Sequence, residues 1–136
     1  MTREFEVYLC TECRNMVEMV VAGGGKLVCC GQPMKLLIPN TTDASQEKHV
    51  PIFHKDGCTV RIMVGSVPHP MAEEHFIKWI EIHSDGRSQR KYLKPGDAPE
   101  AEFSCPPGMC ATGVAPHVLA YCNLHGLWEC QPVVTK

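Results

Sequence analysis

The sequence predicts an all-β chain in two parts: a small cysteine-rich N-terminal domain, residues 1–37, and a larger antiparallel β-sandwich, residues 38–136. Three observations carry this reading. Runs of β-branched and aromatic residues are short, and eleven glycines and eleven prolines punctuate them. No capped pattern of three or more helical turns occurs. The metal-binding residue types divide unevenly: residues 1–37 hold four of the nine cysteines and none of the seven histidines.

Taken in order, Phe5-Glu6-Val7-Tyr8-Leu9 is the first β-prone run. Met16 to Val21 is the second, and it ends at Gly23-Gly24-Gly25, a turn expected to close a hairpin. Lys26-Leu27-Val28 then leads back to Cys29-Cys30. Pro39-Asn40-Thr41-Thr42-Asp43-Ala44-Ser45 is polar and reads as a linker. Cys58 to Val64 alternates and is β-branched. Phe76 to His83 suits strand or helix by spacing, and its isoleucines and aromatics favour strand. Arg90 to Leu93 and Ala101 to Phe103 flank the turn Lys94-Pro95-Gly96-Asp97. Val114 to Tyr121 and Leu127 to Val134 flank the last tight turn. About seven short strands of this kind suggest an antiparallel sandwich. The N-terminal part is too small to bury a core alone, and units of that size need a metal or a partner.

Apolar residues make up 44% and charged residues 21%, as in a globular domain. A formal charge of −2 excludes a general nucleic-acid binder held by bulk positive charge. No apolar run reaches the ~20 residues of a membrane span. Met1-Thr2-Arg3-Glu4-Phe5 lacks the basic stretch and apolar core of a signal peptide, so a cytoplasmic protein is expected. In a reducing compartment nine cysteines point to metal before disulfides.

The first constellation is Cys10-Thr11-Glu12-Cys13 with Cys29-Cys30. Four thiolates suit tetrahedral zinc or iron. The C-x-x-C turn places two sulfurs on one side of an ion, and a hairpin would bring the adjacent pair to the other. Neighbouring cysteines have to splay to reach one metal, so some distortion is expected. A structural zinc knuckle explains the same spacing, and a disulfide pairing is the remaining option.

The second constellation is more scattered. His49 sits in Glu47-Lys48-His49-Val50-Pro51, His69 between Pro68 and Pro70, and His75 before Phe76. Far downstream lies Tyr121-Cys122-Asn123-Leu124-His125-Gly126, a Cys and a His three apart in a turn closed by glycine. Four imidazoles in one plane with a thiolate on the axis would leave one octahedral position open. Imidazole suits iron, copper, nickel and zinc alike, and an open position implies chemistry at the metal. Any one of these histidines alone reads as an ordinary hydrogen-bonded residue.

These motifs, in this order, resemble desulfoferrodoxin, the two-iron superoxide reductase family, from about residue 5 to Trp128. Trp79-Ile80-Glu81 and Leu93-Lys94-Pro95-Gly96 also look like family sequence. The resemblance implies a desulforedoxin-like N-terminal domain carrying Fe(Cys)4 and an immunoglobulin-like β-sandwich carrying Fe(His)4(Cys). It implies Cys10, Cys13, Cys29 and Cys30 as ligands of the first iron. It implies His49, His69, His75 and His125 as equatorial ligands of the second, with Cys122 axial. It also implies a cytoplasmic homodimer that reduces superoxide by one electron to hydrogen peroxide and is re-reduced by rubredoxin or a similar donor.

Two further residues are candidates at that site. Lys48 beside His49 is expected to guide the superoxide anion and order a water for protonation. Glu47 is implied as the carboxylate that closes the sixth position of oxidised iron; without the resemblance both read as solvated surface residues. The turn Asn123-Leu124-His125 is expected to aim backbone N–H groups at the Cys122 sulfur. Cys58, Cys105, Cys110 and Cys130 fall on no ligand position of the family, and Cys105-Pro106-Pro107-Gly108-Met109-Cys110 departs from its charged segment. His54, His83 and His117 read as ordinary histidines. The competing functions are a non-enzymatic iron electron-transfer protein, a structural zinc protein and a superoxide dismutase.

Overall fold

The computed structural model describes residues 3–42, 44, 46–84, 86–104 and 116–130. The chain divides into two compact units, Met1–Ile38 and Pro39–Lys136. Among the described residues the architecture is all-β apart from one helical turn of four residues, and no helix is long and apolar enough to cross a membrane.

In the first unit, β1 (Val7–Leu9) is the centre of an antiparallel sheet between β2 (Met16–Glu18) and β5 (Lys35–Leu37). β3 (Val28–Cys29) and β4 (Gln32–Pro33) form a separate hairpin, with Cys29 opposite Gln32. The hairpin expected across Gly23-Gly24-Gly25 does not form, because β2 pairs with β1 and β3 with β4. The tight reversal is at Cys30-Gly31 instead, with φ of 54° and 75°. Positive φ at both central residues is what a two-residue hairpin of matching twist requires. Among the described residues of this unit only Val7, Leu9 and Cys10 are buried.

Among its described residues the second unit is an immunoglobulin-like sandwich of seven antiparallel strands. One sheet has the order β10–β7–β6, from β6 (Pro51–Asp56), β7 (Thr59–Val64) and β10 (Glu100–Ser104). The other has the order β12–β11–β8–β9, from β8 (Ile77–Ser84), β9 (Arg87–Tyr92), β11 (His117–Cys122) and β12 (Gly126–Glu129). β6 shows no clear strand signal in the sequence. It opens on proline and ends in His54-Lys55-Asp56, which an edge strand tolerates because one side of its ladder faces solvent. β7 alternates as expected, and Val60, Ile62 and Val64 pack against Ile77, Ile80 and Ile82 of β8 and Val118, Ala120 and Cys122 of β11. β8 is buried on both faces, which is why its periodicity did not separate strand from helix.

Three features of this unit position the site. The segment read as a linker is tied down at Asn40: its backbone N–H donates to Leu127 O at 3.0 Å, its Nδ2 donates to Glu129 O at 3.2 Å, and Glu129 N–H donates back to Oδ1 at 2.8 Å. The chain then enters the helical turn α1 (Gln46–His49), which delivers His49 to the start of β6. At the start of β8 the register with β11 shifts: Tyr121 faces Trp79 but Cys122 faces Ile77, leaving Lys78 without a partner on β11. Such a bulge bends the strand end and re-aims its side chains.

The ordinary histidines are accounted for. His83 is buried and bonds through Nε2 to Glu81 at 2.9 Å and through Nδ1 to Ser88 Oγ at 2.7 Å. Arg90 also pairs with Glu81, so this buried carboxylate is held by both an arginine and a histidine. His117 meets Glu129 at 3.0 Å on the surface, and His54 is exposed on β6.

Candidate metal centres

Cys10, Cys13, Cys29 and Cys30 come together with all four sulfurs within 4.8 Å of one another. Cys10 ends the ladder of β1: its N–H donates to Asn15 O at 2.8 Å, and its carbonyl accepts from Arg14 N–H at 2.9 Å. That turn folds Cys13 back, and the Cys13 N–H points at the Cys10 sulfur at 3.5 Å. The positive φ of Cys30 solves the problem of adjacent ligands. Cys29 points off the strand and Cys30 off the turn, and their sulfurs converge to 3.9 Å. Cys13 Sγ and Cys29 Sγ are 3.6 Å apart. Four sulfurs bound at about 2.3 Å to a tetrahedral ion stand about 3.8 Å apart, so the spacing fits a metal.

Protonation points the same way. The Cys13 amide, aimed at the Cys10 sulfur, lowers that thiol to about 6. Hydrogen bonding to the Cys13 and Cys10 sulfurs pushes Cys30 up to about 12, and the same neighbours raise Cys29. The first proton leaves easily and the last does not, because the Cys30 proton is held in hydrogen bonds to its neighbours' sulfurs. A bound cation displaces that proton.

The second grouping lies wholly in the sandwich unit. His49, His69, His75 and Cys122 offer ligand atoms within 4.8 Å of one another. His125 joins them, with Nδ1 3.1 Å from His49 Nε2 and 3.9 Å from Cys122 Sγ. The imidazoles form a ring in the order His49, His69, His75, His125. Neighbouring centroids are 4.6 to 4.9 Å apart and neighbouring planes are 77° to 88° apart. The diagonal His49–His75 distance is 6.2 Å, as in a square. Cys122 Sγ is near all the corners at once, which places it over the ring rather than in it.

Two observations test the fit to a metal. His49 Nε2 lies 3.1 Å from both His69 Nε2 and His125 Nδ1. Nitrogens at right angles around an ion at about 2.1 Å stand about 3 Å apart. His75 Nε2 is buried with no hydrogen-bond partner, and His75 offers a ring nitrogen within 4.8 Å of the ligand atoms of His49, His69 and Cys122. Both agree with a metal held by the ring.

Each ligand is held from behind. His69 Nδ1–H donates to Pro70 O at 2.7 Å, which leaves Nε2 as the lone-pair nitrogen. Burial lowers His69 to about 4, so it is neutral and ready to ligate at pH 7. Burial also lowers His75. Trp128, fully buried on β12, stacks on His49 with centroids 4.8 Å apart, and its indole N–H donates to His125 O at 3.1 Å. Burial raises the Cys122 thiol, while the Leu124 and His125 N–H groups bond its sulfur and favour the thiolate. Gly126 closes the turn with φ of 82°, and a Cβ there would meet Thr42 Oγ1 at 3.2 Å. Lys48 is exposed on α1, and its charge acts on His75. Glu47 belongs to the same turn; its side chain is not among the described groups.

Sequence reasoning missed Trp128 as the support of two ligands. Its one signal was an aromatic at the edge of the Cys122–Gly126 motif. Cys58 is exposed and Cys130 half-buried, and neither joins a grouping. Cys105 and Cys110 lie outside the described residues.

A four-sulfur group on a small β-unit and a four-imidazole, one-sulfur group on a sandwich define a non-haem protein with two metal centres. The desulfoferrodoxin family model matches residues 41–131, and the model of the desulfoferrodoxin N-terminal domain matches residues 2–37. The chain belongs to the desulfoferrodoxin family, and its two groupings match that family's two iron centres. It is 50% identical over 131 residues to a desulfoferrodoxin of Nitratidesulfovibrio vulgaris, covering 96% of this chain and 99% of that one. It is 53% identical over 129 residues to a desulfoferrodoxin homolog of Archaeoglobus fulgidus, covering 95% and 98%. Its fold is similar to the crystal structure of the superoxide reductase from Treponema pallidum, with a TM-score of 0.72 and 29% identity over 95% of this chain and 100% of that one.

Proposed function

We propose that this chain is a superoxide reductase, an oxidoreductase that converts superoxide to hydrogen peroxide at the sandwich centre. The observation that carries the reading is the ring of four imidazoles with one buried thiolate over it. His49, His69, His75, His125 and Cys122 would hold iron there, which would supply the electron and, with five protein donors, could still take the substrate. Superoxide takes up one electron and two protons and leaves as hydrogen peroxide, with no dioxygen formed.

The residues divide the work. Trp128, Pro70 and the Leu124–His125 amides hold the ligands, so little reorganises during turnover. Cys122, as a buried thiolate, would donate electron density to iron held there. Lys48, exposed beside His49, adds local positive charge to a chain whose formal charge is −2, and steers the anion inward. Glu47, next to Lys48 in sequence, would supply a carboxylate to the oxidised iron. Cys10, Cys13, Cys29 and Cys30 would hold the other iron, which would supply an electron store or relay. A rubredoxin-like protein is the proposed donor, and a cytoplasmic homodimer the proposed working form.

Peroxide yield tests the reaction. Superoxide delivered to the reduced protein should give one peroxide per superoxide and no dioxygen. Half that yield with dioxygen release would make the protein a dismutase, and iron that superoxide fails to oxidise would make it an electron carrier. Lys48→Ala should lower the second-order rate with superoxide by about tenfold at low salt and flatten its dependence on ionic strength. An unchanged rate and salt profile would remove Lys48 from the approach path.

A further inference from the structure

The ligands of the sandwich centre are not equally supported. His49 leans on Trp128, His69 on Pro70 O, and His125 is anchored through its carbonyl to the Trp128 indole. Among the described residues no group outside the cluster hydrogen-bonds the His75 ring, whose buried Nε2 is unpartnered. His75 stands on a tight loop in which Ala72 and His75 exchange backbone bonds at 3.0 and 3.1 Å. What holds that loop in place is Asn123. Its Oδ1 accepts from Phe76 N–H at 2.9 Å, its Nδ2 donates to Glu74 O at 3.1 Å, and its own N–H donates to Phe76 O at 3.2 Å.

We propose that Asn123 is a positioning residue for the sandwich centre, clamping the backbone on both sides of His75 to the turn that carries Cys122 and His125. The residue is adjacent in sequence to Cys122 and two before His125, so one clamp fixes the His75 imidazole relative to the Cys122 sulfur. An amide suits the task because it accepts and donates along one plane, and Glu74 O and Phe76 N–H lie on either side of the ligand. Neither alanine nor aspartate can do both. The register shift between Tyr121 and Cys122 gives the clamp its purpose: the regular ladder of β8 and β11 ends there, and Asn123 takes over the pairing where the strands no longer can. The proposal rests on His75 and Cys122 being ligands of one ion.

The experiment uses full-length, iron-loaded protein carrying Asn123→Ala, Asn123→Asp or His75→Ala. The readouts are the sulfur-to-iron charge-transfer band of the sandwich centre and its iron affinity in competition with a chelator. The spectrum of the four-sulfur centre in the same sample is the internal control. Asn123→Ala should shift the band and weaken sandwich-centre affinity by about tenfold to a hundredfold, with the four-sulfur spectrum unchanged. Asn123→Asp keeps the acceptor for Phe76 N–H and loses the donor to Glu74 O, so it should fall between alanine and wild type. A native band and native affinity in both variants overturn the proposal, even if their melting temperatures fall. If the alanine variant does not fold, the aspartate variant decides by the same criteria. A normal band in His75→Ala removes His75 as a ligand and overturns the proposal at its root. Failure of superoxide reduction alone, with the band shift present, overturns the functional reading and leaves the clamp standing.

Discussion

Cys122→Ser should erase the sulfur-to-iron charge-transfer band and slow superoxide reduction by at least about a hundredfold, since loss of a partner merely supporting a metal ligand costs up to that much. The fold should survive. Cys122 is fully buried at the end of β11, serine is nearly isosteric, and the Leu124 and His125 N–H groups still find an acceptor. The electronic consequence is larger than the structural one. Burial raises the Cys122 thiol, so without metal the sulfur keeps its proton at neutral pH, and metal uptake releases it. A serine hydroxyl resists that deprotonation far more strongly. The serine variant would therefore hold iron through the four imidazoles alone, without the thiolate's electron density. Absorption and stopped-flow traces on the same sample check both effects. A retained band would place another sulfur on the iron, and a retained rate would show that the thiolate is not what drives the reaction.

The parts of this site that were legible in the sequence are those where chemistry is local. Cys10-Thr11-Glu12-Cys13 and Cys29-Cys30 name their ligands by spacing, and Cys122 and His125 do so within one glycine-closed turn. The order of the imidazoles around the ring was not legible, because His49, His69 and His75 are set by α1, a proline-flanked loop and a backbone-paired loop that only tertiary pairing brings together. Nor was the conformation of Cys30 legible. The run Gly23-Gly24-Gly25 is the louder turn signal, yet the left-handed residues that matter are Cys30 and Gly31. Backbone geometry there serves metal ligation, and local propensity did not reveal it. Strand β6 was hidden by its leading proline and its charges, which fit an edge position that no local pattern announces.

The N-terminal unit should depend on its metal for its fold, and this is the other large effect. Three apolar side chains are buried there among the described residues, while β2, β3, β4 and β5 are mostly exposed or half-buried. That burial is too small to offset the conformational entropy of ordering the unit. Binding of a structural metal by four thiolates contributes on the order of 10 kcal/mol and exists only in the folded form. The sandwich has its own core of buried residues from both sheets and does not need that contribution. Chelation that strips the four-sulfur centre should therefore abolish slow amide exchange at Val7 to Leu9 and Lys35 to Leu37, while the strands from Thr59 to Val64 and from His117 to Cys122 stay protected. Cys13→Ser should weaken the same metal and reproduce the pattern in part, with Cys29 and Cys30 left to hold the ion alongside Cys10. Superoxide reduction in a single turnover should persist in both cases, because every ligand of the sandwich centre lies beyond residue 48. Protected N-terminal amides in the stripped protein would mean that the unit folds on packing alone. Loss of single-turnover reduction would mean that the four-sulfur centre is an obligatory part of the reaction rather than a relay.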